Sequence, residues 1–215
     1  MMNLRLHHLP YLLLLPLAIS LSSCRPSSRM ELFDGYTFRG WEGDTITTWK
    51  IVDGTLQGGS LSETVPHNDF LCTTESYDNF ILTLKFKLEG HEGFINAGVQ
   101  FRSQRATDPA YEMTGYQADI GVNYYGALYD ESRRNVVLAG PDSITISKII
   151  RLNDWNDYEI RAEDNHIRIF LNGQKTVDYS EPDPAIVQKG VIGLQIHGGG
   201  KALVSYKDIA IEKIK

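Results

Sequence analysis

The chain has 215 residues, of which 42% are hydrophobic and 22% are charged, so wholesale disorder and fibrous repeats are excluded. Its formal net charge of −6 argues against the basic surface that nucleic-acid binding requires, so no nucleic-acid partner is expected. The 19 glycines and 11 tyrosines favour strands and tight turns over helices.

The first 23 residues have the pattern of a secretory signal peptide. Arg5 is the one charged residue among them, and an apolar run over residues 9–21 follows it. This run is shorter than the roughly 20 apolar residues that a membrane-spanning helix needs. We therefore expect residues 1–23 to be removed, with an uncleaved membrane anchor as the alternative.

The signal ends in Leu21-Ser22-Ser23-Cys24, which resembles a bacterial lipobox. The resemblance implies that Cys24 is lipidated. The polar residues that follow it indicate that residues 24–30 are the acylated cysteine and a short tether. Arg25, rather than aspartate, follows the cysteine, which implies a cell-envelope location at the outer membrane, on its periplasmic or its surface face. Cys72 would then have no disulfide partner, and we expect it to be a small buried hydrophobic residue.

Residues 31–215 are predicted to form a single domain of about eleven or twelve short strands. Asp53-Gly54 marks a hairpin within residues 49–57, and residues 80–88 alternate strictly between apolar and polar. The one helical turn expected covers residues 183–188. The other predicted strands cover residues 70–73, 94–102, 116–122, 124–130, 158–162, 167–171, 175–179, 191–197, 202–206 and 209–214.

Strands with one apolar face are buried most economically in two packed sheets. The predicted fold is therefore all-β: a two-sheet antiparallel jelly-roll sandwich of the concanavalin or laminin-G type.

Three of these strands carry an unusual polar face. Elsewhere the polar side is plainly charged, as at Lys85 and Lys87, and indicates solvent exposure. In the three strands, amides, one carboxylate, one guanidinium and one imidazole alternate with apolar residues and are interspersed with glycines. Such a face suits a ligand rich in hydroxyl groups, although an exposed polar surface would look the same. The polar residues are Asn96, Gln100, Arg102, Gln117, Asp119, Gln195 and His197, and the aromatic residues that could stack on a sugar ring are Trp41, Tyr124, Tyr125, Tyr129 and Trp155.

Several motifs, in order along residues 31–215, resemble the 3-keto-disaccharide hydrolase family. The most specific are a strand with Asn96, Gly98 and Arg102 and a segment reading Gly115-Tyr116-Gln117-Ala118-Asp119. Here the carboxylate stands two positions later than in the commoner family pattern, but on the same strand face. The other matching motifs are Leu32-Phe33-Asp34-Gly35, Gly40-Trp41, Gly126-Ala127-Leu128-Tyr129, Trp155-Asn156-Asp157-Tyr158, Leu171-Asn172-Gly173 and Gly193-Leu194-Gln195-Ile196-His197-Gly198.

The resemblance implies cleavage of glycosides whose C3 hydroxyl has been oxidised to a ketone. The ketone acidifies the C2 proton, so a base can form an enolate, the C1 oxygen can leave, and water can add afterwards. We expect His197 to be the base, Arg102 to stabilise the enolate oxygen, and Asp119 to orient His197 or act as the acid, with Tyr129 as the alternative acid. The predicted substrate-binding residues are Asn96, Gln100, Gln117, Gln195 and Glu131.

Other kinds of function are less consistent with the sequence. A two-carboxylate glycosidase needs two acids across the bond, and only Asp119 clearly lies on the predicted face. There is no Gly-x-Ser-x-Gly motif and no His/Cys cluster at zinc spacing. No cofactor is predicted, and a structural calcium ion on a loop is left open. A non-catalytic carbohydrate-binding module is the main alternative, and a purely structural lipoprotein is the third reading.

Overall fold

A computed structural model describes residues 29–214. It shows fifteen strands and one short helix, with the strands in two antiparallel sheets packed face to face. The predicted all-β sandwich is thus confirmed. Among the described residues, no helix is both long enough and apolar enough to cross a membrane.

Sheet A contains eight strands and presents the charged outer face. Its order is β13-β12-β11-β6-β15-β4-β3, and β1 also pairs with β15. The bounds are β1 Arg29–Glu31, β3 Trp49–Val52, β4 Thr55–Gly59, β6 Phe80–Gly93, β11 Asn156–Glu163, β12 His166–Leu171, β13 Gln174–Ser180 and β15 Gly200–Lys213.

Sheet B contains seven strands and includes all three strands with the mixed polar face. Its order is β10-β9-β8-β7-β14-β5-β2. The bounds are β2 Trp41–Glu42, β5 Asp69–Tyr77, β7 Asn96–Arg105, β8 Met113–Gly121, β9 Leu128–Glu131, β10 Val136–Ala139 and β14 Gly190–Ile196.

The apolar members of the alternating strands form one core between the sheets. From sheet A, Leu82 and Ile160 point inward, and from sheet B, Val99 and Leu194 meet them. All four side chains are buried. Because a strand's side chains alternate between faces, this packing turns the polar residues of β7, β8 and β14 to the outer face of sheet B.

The sheet pairing corrects several predicted boundaries. The predicted strands 202–206 and 209–214 merge into one strand, β15, which ends at Lys213 and whose register shifts between Lys207 and Ala210, with Asp208 at φ +53°. Strand β1 includes Arg29 and Met30, which the sequence assigned to the tether.

The sequence predicted no helix beyond a single turn, and the structure has one elsewhere. It is α1, Ser143–Ile149, which begins where the Asp142 side chain accepts a hydrogen bond from the Thr145 amide at 2.8 Å. The isoleucines of α1 are poor helix formers, so the sequence did not indicate a helix here. Residues 183–188 contain a single turn, closed by the hydrogen bond from the Ile186 amide to the Asp183 carbonyl at 3.2 Å.

The two cysteines differ in what the structure shows of them. The signal peptide of residues 1–23 and the lipidated Cys24 lie outside the described residues and stay predictions. Cys72 is a free, buried cysteine whose Sγ lies 3.6 Å from the Met113 sulfur. Burial raises the pKa of the Cys72 thiol to about 11, so it is an inert packing residue, as predicted.

Candidate functional site

A small polar cleft of about 170 Å³ opens on the outer face of sheet B. It brings together six of the nine residues that the sequence predicted for catalysis and substrate binding. The cleft is lined by Phe94, Asn96, Gln117, Asp119, Tyr124, Tyr129, Glu131 and His197.

The register of four neighbouring strands explains this grouping. Gly98 on β7 lies opposite Asp119 on β8 and also opposite Gln195 on β14. Gln117 on β8 lies opposite Tyr129 on β9. A Cβ atom at Gly98 would come within 2.5 Å of the Gln117 side chain, so glycine is what lets this amide cross the sheet surface.

His197 lies at the mouth of the cleft, just beyond the end of β14. Its main-chain amide donates to the Asn96 carbonyl at 3.1 Å, which fixes the residue beside β7. Its ring Nδ1 lies 2.7 Å from the Gly198 carbonyl oxygen. A carbonyl can only accept, so in the neutral ring Nδ1 carries the proton and Nε2 keeps a free lone pair. Phe94 packs edge-on against this ring, with centroids 4.6 Å apart.

A second set of contacts holds the loop after His197. The Gly198 amide donates to the Asn68 Oδ1 at 3.1 Å, and the Asn68 Nδ2 donates to Glu112 at 2.9 Å. A Cβ at Gly198 would lie 2.5 Å from the Cα of His67, so only glycine fits this close approach. The sequence did not predict Asn68 or Glu112, because both lie in loops where strand parity gives no signal.

Asp119 is the most deeply buried carboxyl group of the cleft. Its Oδ1 accepts hydrogen bonds from the Asn96 side chain at 2.8 Å and from the Ile120 amide at 2.9 Å. Burial raises the pKa of Asp119 to about 7, although the Asn96, Ile120 and Gln117 donors oppose the rise. Asp119 therefore exchanges a proton near neutral pH. Because His197 Nδ1 is bonded to Gly198, the orienting role predicted for Asp119 falls to that carbonyl.

Glu131 supplies a second carboxyl group with an altered acidity. Burial raises the pKa of Glu131 to about 7, and the charges of Glu112 and Asp119 add to the rise. Burial also raises the pKa of Tyr129, so its hydroxyl stays protonated at neutral pH. The prediction that only Asp119 carries a carboxylate on this face is wrong, because β9 brings Glu131 to the same cleft.

Gln100 and Gln195 lie beneath the cleft rather than in it. Both are fully buried. The Gln100 Nε2 donates to Gln117 at 3.1 Å, and its Oε1 accepts from Ser103 at 2.7 Å. Neither amide atom of Gln195 makes a hydrogen bond within the described residues. In this structure, neither glutamine is positioned to contact a sugar, contrary to the sequence prediction.

Arg102 does not lie on the polar face where the sequence predicted it. The register of β7 shifts between Phe101 and Gln104, and Arg102 takes a left-handed φ of +49°. This bulge turns the guanidinium away from the polar face. It donates to the carbonyls of Asp78 at 2.8 Å and Asp164 at 2.6 Å, and to the side chains of Asn79 at 3.1 Å and Gln188 at 2.5 Å. Arg102 ties loops together and does not face His197.

Of the five aromatic residues predicted to stack on a sugar ring, two line the cleft and three lie elsewhere. Tyr124 and Tyr129 line the cleft. Trp41 and Tyr125 are buried in the core, and Trp155 lies by sheet A with Lys207 Nζ 4.1 Å from its ring centroid. Phe94, which the sequence did not single out as an aromatic platform, takes part instead.

No group of three or more His, Cys, Asp or Glu side chains within residues 29–214 is arranged to hold a metal ion. The structural calcium ion left open by the sequence stays an untested prediction.

The chain belongs to the family of 3-keto-alpha-glucoside-1,2-lyase-like domains, which matches residues 29–212. The fold resembles a candidate glycosyl hydrolase from Parabacteroides distasonis, with a TM-score of 0.65 and 18% identity over 87% of this chain and 94% of that one. It also resembles carbohydrate-binding module CBM66 from Bacillus subtilis, with a TM-score of 0.62 and 18% identity over 81% and 96% of the two chains.

A third similar structure is a Bacillus subtilis protein of unknown function with a galectin-like fold. Its TM-score is 0.64, with 14% identity over 86% of this chain and 94% of that one. Among curated proteins, no match is found. At these identities the solved structures establish the shared sandwich, while the family match indicates carbohydrate chemistry.

Proposed function

We propose that this protein cleaves 3-keto-glycosides by eliminating the C1 substituent and then hydrating the product. The observation that carries the proposal is one cleft that holds an imidazole with a free Nε2 beside two carboxyl groups whose pKa values lie near 7. A base and a protonated acid can coexist there at neutral pH. Family membership supports the same class of substrate.

In the first step, His197 Nε2 takes the proton from C2, and the electron pair of that bond delocalises onto the C3 ketone oxygen. The enolate then expels the C1 oxygen, which receives a proton and departs as an alcohol. Water then adds to the enone: the deprotonated acid takes a proton from the water as its hydroxyl bonds to C1, and protonated His197 returns its proton to C2, so both groups regain their starting states. The products are the free 3-keto sugar and the alcohol, so the net reaction is hydrolysis.

The acid and the enolate donor are assigned by elimination among the cleft residues. Since Arg102 is turned away, the Tyr129 hydroxyl donates to the enolate oxygen. Glu131, whose pKa is raised by burial, supplies the proton for the leaving oxygen. Asp119 holds Asn96 in place and buffers a proton at the cleft floor.

The second candidate is a non-catalytic carbohydrate-binding module, which the likeness to CBM66 favours. Binding alone requires hydroxyl donors and acceptors, but it does not require a free imidazole lone pair beside carboxyl groups of raised pKa. The two candidates differ in what removal of His197 does. A binding module loses affinity, and an enzyme loses turnover.

The test is turnover of a 3-keto-disaccharide by the wild type and by His197→Gln. Gln keeps the polarity of the side chain but cannot act as a base near neutral pH. We expect at least a hundredfold loss of kcat, a typical contribution of general base catalysis, with little change in stability. The matched control is His166→Gln, the same change at a half-exposed histidine of β12 on sheet A, outside the cleft. Wild-type turnover in His197→Gln would remove the proposed base.

We further propose that the protein is lipid-anchored through Cys24 at the outer membrane. The lipobox-like Leu21-Ser22-Ser23-Cys24 supports this location.

A further inference from the structure

A second cavity, which we call the α1 pocket, lies between helix α1 and the β8–β9 turn. Its volume is about 320 Å³. An apolar cavity of about 150 Å³ is already large enough for benzene. The pocket is lined mostly by apolar side chains: Val122, Tyr125, Ala127, Pro141, Ile146, Ile150 and Leu152, together with Asn123, Ser143 and Ser147.

The rim of the α1 pocket is unusually apolar for a surface. Val122 is 63% exposed and Leu152 is 64% exposed. Helix α1 contains no fully buried residue, although its half-buried Ile146 and Ile149 pack against the core, and the helix forms one side of the pocket. Exposed apolar side chains around a concave site are typical of surfaces that receive an apolar group.

One tight turn separates this pocket from the polar cleft. The turn is closed by hydrogen bonds from the Gly126 amide to the Asp119 carbonyl at 3.1 Å and from the Ala127 amide to the Tyr124 carbonyl at 2.9 Å. Tyr124 lines the cleft, whereas its neighbours Asn123 and Tyr125 line the pocket. The two cavities therefore share a wall of a few residues.

We propose that the α1 pocket receives the apolar aglycone of a glycoside whose sugar ring occupies the polar cleft. The proposal rests on the proposed function and refines its substrate class. The cleft, at about 170 Å³, has room for little more than one sugar ring, so a leaving group must extend past its edge. The mostly apolar lining across the turn suits a benzyl-sized hydrocarbon group better than a second sugar, which would leave most of its hydroxyl groups without partners.

The test compares the benzyl and the methyl 3-ketoglucoside, whose leaving alcohols have nearly equal acidity. We expect the wild type to show about a tenfold higher kcat/KM for the benzyl compound, since burying one ring is worth at least that factor. Leu152→Asp makes the rim polar, and Ser147→Trp fills the pocket. Both should abolish the preference. The matched controls, Ile144→Asp and Lys148→Trp, change exposed residues of α1 that do not line the pocket, and should keep it.

Equal kcat/KM values for both substrates, or a preference that survives both lining variants, would overturn the aglycone pocket while leaving the proposed function intact. Failure to cleave either compound would instead overturn the proposed function. In that case calorimetry with unoxidised benzyl and methyl glucoside tests whether the α1 pocket binds the aglycone. Tighter binding of benzyl glucoside, with the difference removed by Leu152→Asp, would support this assignment. Equal binding of the two glucosides would overturn it. Tighter binding of dodecanoate than of benzyl glucoside would also overturn it, because the occupant would be an acyl chain.

Discussion

Replacing Arg102 with methionine should damage stability and leave the chemistry intact. The guanidinium is buried and makes four hydrogen bonds, which link β7 to the loops at Asp78, Asp164 and Gln188. Met fills much of the same space but cannot donate, so these oxygens lose a charged partner. Leaving buried acceptors unpaired costs about 1–3 kcal/mol each, and partial access to water limits the total to about 3–5 kcal/mol.

For a domain of this size, each kcal/mol lowers Tm by about 2–4 °C, so a drop of about 10 °C is expected. Urea denaturation should show a lower midpoint at an unchanged m value. The matched control is Arg161→Met, which removes a half-exposed ion pair with Glu159 and a cation–π contact with Phe170 on sheet A and should cost about 1 kcal/mol. Turnover of folded protein, measured well below Tm, should stay at the wild-type level. A variant with normal stability and lost turnover would refute the structural role and restore the enolate-stabilising one.

Three further predictions concern the carboxyl groups, the sheet surface and the anchor. Because burial raises the pKa of Asp119 from 3.8 to about 7, the folded state binds this proton more tightly than the unfolded chain, so its contribution is full below about pH 4 and is lost as pH rises through 7. Asp119→Asn should flatten that part of a stability curve measured from pH 4 to 8, and an unchanged slope would contradict the burial. Gly98→Ala should displace the Gln117 side chain and so disrupt its hydrogen bonds, which should lower kcat at least fivefold. A wild-type kcat in this variant would show that the Gln117 amide is not needed. Cys24→Ser should abolish incorporation of labelled palmitate and move the protein from the membrane to the soluble fraction, whereas labelling that persists would exclude lipidation at this residue.

Strand alternation was enough to predict most of the site. The apolar partners Ala97, Val99 and Phe101 placed Asn96 on the outer face of β7, and the same parity placed Asp119 and Gln117 on β8. This reasoning works wherever a strand is regular, because the side-chain period is two.

Prediction from strand alternation fails where the backbone departs from the two-residue period. A bulge after Phe101 reverses Arg102, and no residue in the sequence marks it. Strand parity also does not predict how deeply a side chain is buried. Gln100 and Gln195 have the predicted parity but are fully buried. Their burial depends on the packing of the Gln117 side chain over Gly98, which the sequence does not show. Loop residues such as Glu112 and Asn68 have no periodicity at all, so only the folded chain shows that they support the segment after His197.

The requirement for a C3 ketone is tested with one pair of substrates. The purified protein is incubated with a 3-keto-disaccharide and, separately, with the unoxidised parent disaccharide, and the products are followed by mass spectrometry. We predict release of a monosaccharide from the keto sugar alone, since only a C3 ketone acidifies the C2 proton for His197. Cleavage of both sugars would contradict this account and indicate conventional hydrolysis by Asp119 and Glu131. Binding of the keto sugar without cleavage would contradict it equally and indicate a carbohydrate-binding module.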